Sequence, residues 1–217
     1  VDMSGSPPDD SPDTWPRCPS PSDNGCINTF ENRMDDIVKA ALKKWPNVPH
    51  CHGWLALDAR GDWYLRDADT QAAGPFPQSK GQRVVHDKLK AFIERNYEHD
   101  EHGAWFFQNG PQRVYVALEA SPLVWGVRRR ESVPSAASAA DAFEWRAHTG
   151  VEAHELRSAW LDEQGRLFID TDQGFGLVRS MDMDAAADAI EAGLIDPQDC
   201  RFDELPARFG YLLQPQP

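Results

Sequence analysis

Apolar and polar positions along the chain alternate in two rhythms, one helical and one of strands. Met34, Ile37, Val38, Ala41, Leu42 and Trp45 recur at the spacing of one helix face. Acidic residues (Glu31, Asp35, Asp36) stand in the early turns and Lys39, Lys43 and Lys44 in the late ones, which suits the helix dipole. Asn28 or Thr29 caps the start, and Pro46 prevents continuation. A second stripe, Val85, Leu89, Phe92, Ile93 and Tyr97, predicts a helix near 82–97. A third helix over about 182–192 would bury Met183, Ala186, Ala187 and Ile190, with Gly193 as its stop.

Between these lie strand-like runs. WFFQNGPQRVYVALE (105–119) carries Asn109-Gly110 as a hairpin turn, and its two faces are both apolar, so it is expected to be covered on each side. Leu123–Val127 makes a further strand. Strands are also expected at about 142–148, 155–162, 165–171 and 175–179, with Phe209–Leu213 as the last.

One phrase nearly repeats. GWLALDARGDWYLRD (53–67) and SAWLDEQGRLFIDTD (158–172) share Asp-x-x-Gly, at Asp58/Gly61 and Asp162/Gly165. An aspartate opening a type I turn accepts a backbone hydrogen bond, and a glycine three residues on takes the positive φ that lets the strand resume. Each copy therefore reads as a β-hairpin. Duplication and independent origin both account for the pair, and the differing helix arrangement favours independent origin.

Residues 1–26 are rich in Pro, Ser and Asp and are expected to be a disordered acidic tail, with Trp15 as its lone aromatic. Residues 27–213 are expected to form a single α+β unit, with a division into two sub-domains near 128–141 as the alternative. The predicted fold is a hairpin-rich antiparallel sheet system with about three helices packed against it.

A net charge of −13 on 217 residues argues against nucleic acid and against anionic membranes as partners. No apolar run is long enough to span a bilayer, and no secretory signal is visible, so a cytoplasmic location is expected. Cys18, Cys26, Cys51 and Cys200 are too scattered for a disulfide framework.

Few residues invite chemistry. His50, Cys51 and His52 offer soft donors for a metal, but alternation puts only the two histidines on one face and the spacing matches no known zinc pattern. No metal and no cofactor is expected. His99 and His102 flank Asp100 and Glu101, where a polar turn explains them as well as a site does. Asp170 and Asp172 share a side of a strand end and read as edge charge. Arg128, Arg129 and Arg130 read as a solvated face paired with nearby acids. Trp54, Trp63, Trp105, Trp125 and Trp160 fall in predicted strands and read as core.

The runs WPNVPHCHGWLALDARGDWYLRD, GAWFFQNGPQRVYVALE and AWLDEQGRLFIDTDQGFGLV resemble an uncharacterised proteobacterial family with a domain of unknown function, over about residues 45–213. The resemblance implies a bacterial protein and carries no activity or site residue. Two function classes follow. The first is a non-catalytic module binding a small ligand or another protein, its identity unknown. The second is a hydrolase-type enzyme using His50, His52, His99 and His102 with carboxylates.

Overall fold

A computed structural model of the chain describes residues 35–45, 47–131 and 139–217. The expected tail, the caps Asn28 and Thr29, Met34, Pro46, Cys18, Cys26 and residues 132–138 of the linker lie outside the described residues.

Two sheets form. The first contains β1 (Cys51–Leu57), β2 (Trp63–Leu65), β3 (Gln82–Arg83), β4 (Tyr97–His99), β5 (Trp105–Asn109) and β6 (Gln112–Leu118), in the order β3-β2-β1-β6-β5-β4. The second contains β7 (Leu123–Arg129), β8 (Phe143–Ala147), β9 (Glu152–Ala153), β10 (Leu156–Leu161), β11 (Leu167–Thr171), β12 (Gly176–Val178) and β13 (Pro197–Asp199), in the order β13-β10-β11-β12-β7-β8-β9. Five α-helices accompany them among the described residues, rather than about three: α1 (Asp36–Lys44), α2 (Ala68–Ala73), α3 (Asp87–Arg95), α4 (Met183–Glu191) and α5 (Leu205–Phe209).

The sheets are mixed, not antiparallel. β1 runs parallel to β6, β12 to β7, and β10 to β13. Short turns reveal only antiparallel neighbours in a sequence; a parallel pair joins segments separated by a crossover and leaves no local signature. The first six strands of each sheet then follow one plan. A three-stranded meander (β1–β3, or β7–β9) is joined to a second (β4–β6, or β10–β12) by a central parallel pair, β1 with β6 or β7 with β12.

This plan changes the meaning of the near-repeat. The loop between β10 and β11, with Asp162 and Gly165, corresponds to the loop between β4 and β5, not to the Asp58 loop. That counterpart is Asp100-Glu101-His102-Gly103, beside Asp162-Glu163-Gln164-Gly165. All three Asp-x-x-Gly loops are built alike. The glycine N–H donates to the aspartate carbonyl, and the aspartate N–H donates to the carbonyl of the residue after the glycine. Oδ1 of Asp58 accepts the N–H groups of Arg60 and Asp62. Oδ1 of Asp100 accepts those of His102 and Ala104, and Oδ1 of Asp162 those of Gln164 and Arg166. Gly61, Gly103 and Gly165 have φ of 86°, 79° and 73°. This is a type I turn closed by a glycine bulge.

The loops differ in what surrounds them. A Cβ on Gly165 would meet nothing within 4 Å, whereas one on Gly61 would lie 2.9 Å from Cβ of His148. Asparagine enters the left-handed region at modest strain, so Gly165→Asn should cost under about 1 kcal/mol. Gly61→Asn should cost roughly 2 kcal/mol more, because the histidine is packed and cannot yield. Urea melts of the two variants check this; equal losses would show that the His148 contact is soft.

One apolar cluster runs through both sheets. It includes Leu55, Trp63, Tyr97 and Trp105 from the first sheet, Trp125, Trp145 and Phe168 from the second, and Ala186, Leu205 and Tyr211 from the C-terminal helical region. The outer face of the first sheet has smaller clusters, Ala56 with Ala117 and Phe76, and Phe106 with Tyr115 and Ala104. The two-faced apolar character of 105–119 has this origin.

Three predicted helical features shift. α3 begins at Asp87, capped by Nδ1 of His86, so Val85 stands outside it and is 75% exposed. α4 buries Ala186 and Ala189, and Ile190 is 38% exposed. Phe209–Leu213 is not a strand: Phe209 ends α5, Gly210 terminates it in the left-handed region, and Tyr211 is buried. A five-residue helix is too short for periodicity to reveal.

Candidate functional site

At the contact between the sheets, polar groups converge that the sequence does not bring together. His148 follows β8 and sits in the turn before β9. Its ring lies 5.4 Å from that of Trp63 and 5.9 Å from that of Tyr97, both in the first sheet. Gly61 of the first Asp-x-x-Gly loop packs on its Cβ. The Val124 N–H donates to Nδ1 of His148 at 3.2 Å, which makes Nδ1 the acceptor. Burial, with help from the charges of Arg179 and Lys90, lowers the His148 pKa to about 3. The ring is therefore neutral at physiological pH with its proton on Nε2.

Nε2 of His148 and Nε of Arg179 are buried and have no hydrogen-bond partner, whereas the Trp63 indole acts on the Glu94 carboxyl as a hydrogen-bond donor. Buried polar atoms without partners are uncommon, and these two lie close enough for the Arg179 charge to act on His148. Glu94 and Lys90 project from α3 and approach to 3.9 Å. Burial raises the Glu94 pKa, against the opposing influences of Lys90, the Trp63 indole and Arg179. Lys90 and Arg179 thus act on both Glu94 and His148.

Arg179 also lines a cationic cavity. This cavity, of about 510 Å³, is lined by Arg60, Asp62, Arg83, Arg179, Ser180 and Met181. Arg60 and Asp62 flank Gly61, and Arg83 precedes Val84, whose N–H donates to the Trp63 carbonyl. Arg83 pairs with Asp62 at 3.3 Å. Arg179 continues into a neighbouring cavity of about 240 Å³ beside Gly126, Asp182 and Glu144. Gly126 gives the guanidinium its room: a Cβ there would lie 3.3 Å from Nη1 of Arg179 and 3.2 Å from Oδ2 of Asp182.

Residues 34–216 match the family model DUF2944, described as a protein of unknown function (DUF2946). The chain belongs to this family. No curated protein matches it. Two solved structures of DUF1285 family proteins are similar. The one from Shewanella baltica OS155 has 13% identity and a TM-score of 0.42, covering 64% of this chain and 91% of its own. The one from Silicibacter pomeroyi DSS-3 has 12% identity and a TM-score of 0.41, covering 65% of this chain and 72% of its own.

The residues singled out from sequence lie elsewhere in this family member. His50 and His52 gather on Tyr115, on the outer face of the first sheet, His52 stacked at 4.5 Å and His50 edge-on at 5.9 Å. Cys51 instead lines an apolar cavity of about 440 Å³ with Trp54, Leu55, Phe92 and Phe107. His99 and His102 belong to the Asp100 loop: Nδ1 of His99 lies 3.0 Å from the Asp100 carbonyl, and exposed His102 approaches Glu101 at 3.5 Å. The Tyr115 hydroxyl donates to Oδ2 of Asp100 and so ties the two histidine groups together through one side chain. Among the described residues, no three His, Cys, Asp or Glu side chains are placed to hold a metal ion, and no helix is long and apolar enough to cross a membrane.

Asp172 accepts the N–H groups of His154 and Glu155, while burial raises the Asp170 pKa. Arg128, Arg129 and Arg130 pair with Glu144, Asp188 and Glu152. Trp63, Trp105 and Trp125 are core, whereas Trp54 is 49% exposed and Trp160 half-buried. Sequence reading missed His148, Glu94, Lys90, Arg60, Arg83 and Arg179. Their positions are scattered over five segments, and none forms a motif. The only local signal was a histidine inside Ala-His-Thr-Gly-Val, a fourth loop with the same backbone bonding, in which Gly150 has φ of 84°.

Proposed function

We propose that this protein is a non-catalytic binding module that takes a small ligand in the cleft between its two sheets. The observation that carries this is the cavity lined by Arg60 and Arg83 of the first sheet's loops and strands and by Arg179 after β12, together with the buried His148 Nε2 and Arg179 Nε, which have no protein partner. Burying such a group unsatisfied costs about 1–3 kcal/mol, so each unpaired atom favours a ligand that completes it. The cavity is of the size that small ligands occupy.

The enzyme reading has one specific support, a half-buried Glu94 of raised pKa beside cations. Among the described residues of this site no nucleophile stands next to a base, which keeps binding ahead.

The test is a fragment set of anionic, neutral and cationic compounds, added to the ¹⁵N-labelled full chain. Some members should shift the Trp63 indole N–H resonance and be recovered unchanged. Gly126→Val should weaken them by about tenfold through displacement of the Arg179 guanidinium. If no fragment moves that resonance, the binding reading fails; if hits are converted to products, its non-catalytic part fails.

A further inference from the structure

The polarity of the unpartnered atoms is not balanced. His148 presents Nε2–H, because its Nδ1 is occupied by the Val124 N–H. Trp63 Nε1 and Arg179 Nε carry hydrogens in every protonation state accessible in water. Both unpartnered atoms, His148 Nε2 and Arg179 Nε, are therefore donors. The nearby acceptor, the Glu94 carboxyl, is taken up by the Trp63 indole and by Lys90 at 3.9 Å.

The charges lean the same way. Arg60, Arg83 and Arg179 line one cavity with a single carboxylate, Asp62, while Asp182 and Glu144 lie on the other side of Arg179. The chain as a whole carries −13. A local cationic cleft on an acidic protein focuses anions and repels cations from a site the rest of the surface would attract them to. Arg60 is exposed, and no hydrogen bond or ion pair engages its guanidinium among the described residues. Guanidinium groups recognise carboxylate and phosphate oxygens with paired N–H donors.

Resting on the binding reading above, we infer that the ligand is an oxyanion, a carboxylate or phosphate group held by Arg60, Arg83 and Arg179, which line one cavity, with His148, which the Arg179 charge reaches, as a further donor. His148 serves as a neutral donor. A protonated ring would add charge, but at this burial the neutral tautomer already presents its hydrogen, and no proton uptake accompanies binding.

The experiment titrates the ¹⁵N-labelled full chain with inorganic phosphate, succinate, succinamide and putrescine, following the Trp63 Nε1–H and His148 Nε2–H resonances. Phosphate or succinate should shift both, and which of them does so identifies the source of the oxyanion. Succinamide and putrescine should shift neither. Arg60→Ser/Arg83→Ser changes exposed side chains, so the variant should fold normally, yet it should weaken the anion by about tenfold or more and reduce the salt dependence. Equal shifts with succinamide or putrescine would overturn the oxyanion assignment while leaving a binding cleft. No shift with either anion, when other fragments do move Trp63, would overturn it too. A His148 Nε2 without a hydrogen would overturn its assignment as a donor.

Discussion

Gly103→Ala is expected to destabilise the protein by about 3–5 kcal/mol, near the top of the range for a single methyl group. Two effects add. Gly103 has φ of 79°, where any Cβ is strained. The added Cβ would also lie 2.0 Å from the Gly210 carbonyl oxygen and 3.1 Å from Cα of Tyr211. These are backbone atoms and cannot rotate away. They are held in place by the Leu212 N–H donating to the Gly103 carbonyl, by the Leu118 N–H donating to the Leu213 carbonyl, and by the Tyr211 hydroxyl on the Ala120 carbonyl. The C-terminal segment therefore closes over the Asp100 loop. The control is Gly150→Ala, where φ is 84° but nothing lies within 4 Å, and the loss should be about 1 kcal/mol. Denaturant midpoints of the two variants measure the difference. Similar losses would mean that the C-terminal segment moves aside.

The second large effect is on acid stability. His148 has a folded pKa of about 3 against an ordinary value of 6.5. The unfolded chain takes up this proton first, so stability must fall as pH drops through the window from 6.5 towards 3, and it is fully retained above that window. The whole shift corresponds to about 4–5 kcal/mol, and about 2 kcal/mol of it should be gone by pH ~5. Glu94 and Asp170 oppose this, since burial raises their pKa values and the folded state gains protons there. Glu144, held low by Arg128 and Arg146, and Asp35, held low by Arg95, lose their contribution only at still lower pH. His148→Gln keeps an acceptor for the Val124 N–H and cannot titrate. Its stability should stay nearly flat between pH 6.5 and ~5 while the parent protein declines. Parallel curves for the two proteins would mean that His148 is not the buried titrating group.

The candidate site was almost invisible in the sequence. The histidines that stand out there, His50, His52, His99 and His102, draw the eye because they cluster along the chain. The structure uses them on Tyr115 and in a turn. His148 is isolated in sequence, flanked by Ala147 and Thr149, and acquires its character only from Trp63, Tyr97, Lys90 and Arg179 arriving from distant segments. Arg60 and Arg83 are likewise ordinary exposed arginines until the strands bring them to one cavity wall.

By itself the sequence determined what depends on neighbours within a few residues. It placed the Asp58 and Asp162 hairpins, because an aspartate side chain and a positive-φ glycine satisfy the turn locally. It gave the Asn109-Gly110 region as a turn, although the strands pair through Asn109 and Gln112 and leave Gly110 and Pro111 between them. Tertiary structure decided the rest: the parallel pairing of β1 with β6 and of β7 with β12, the match of the Asp162 loop to the Asp100 loop, and the burial of Ala189 in place of Ile190. The reason is physical. A turn is stabilised by contacts a few residues apart, and each residue type announces its part in them. A parallel pair, or a site built from five segments, is stabilised by contacts whose partners are set only when the whole chain has packed.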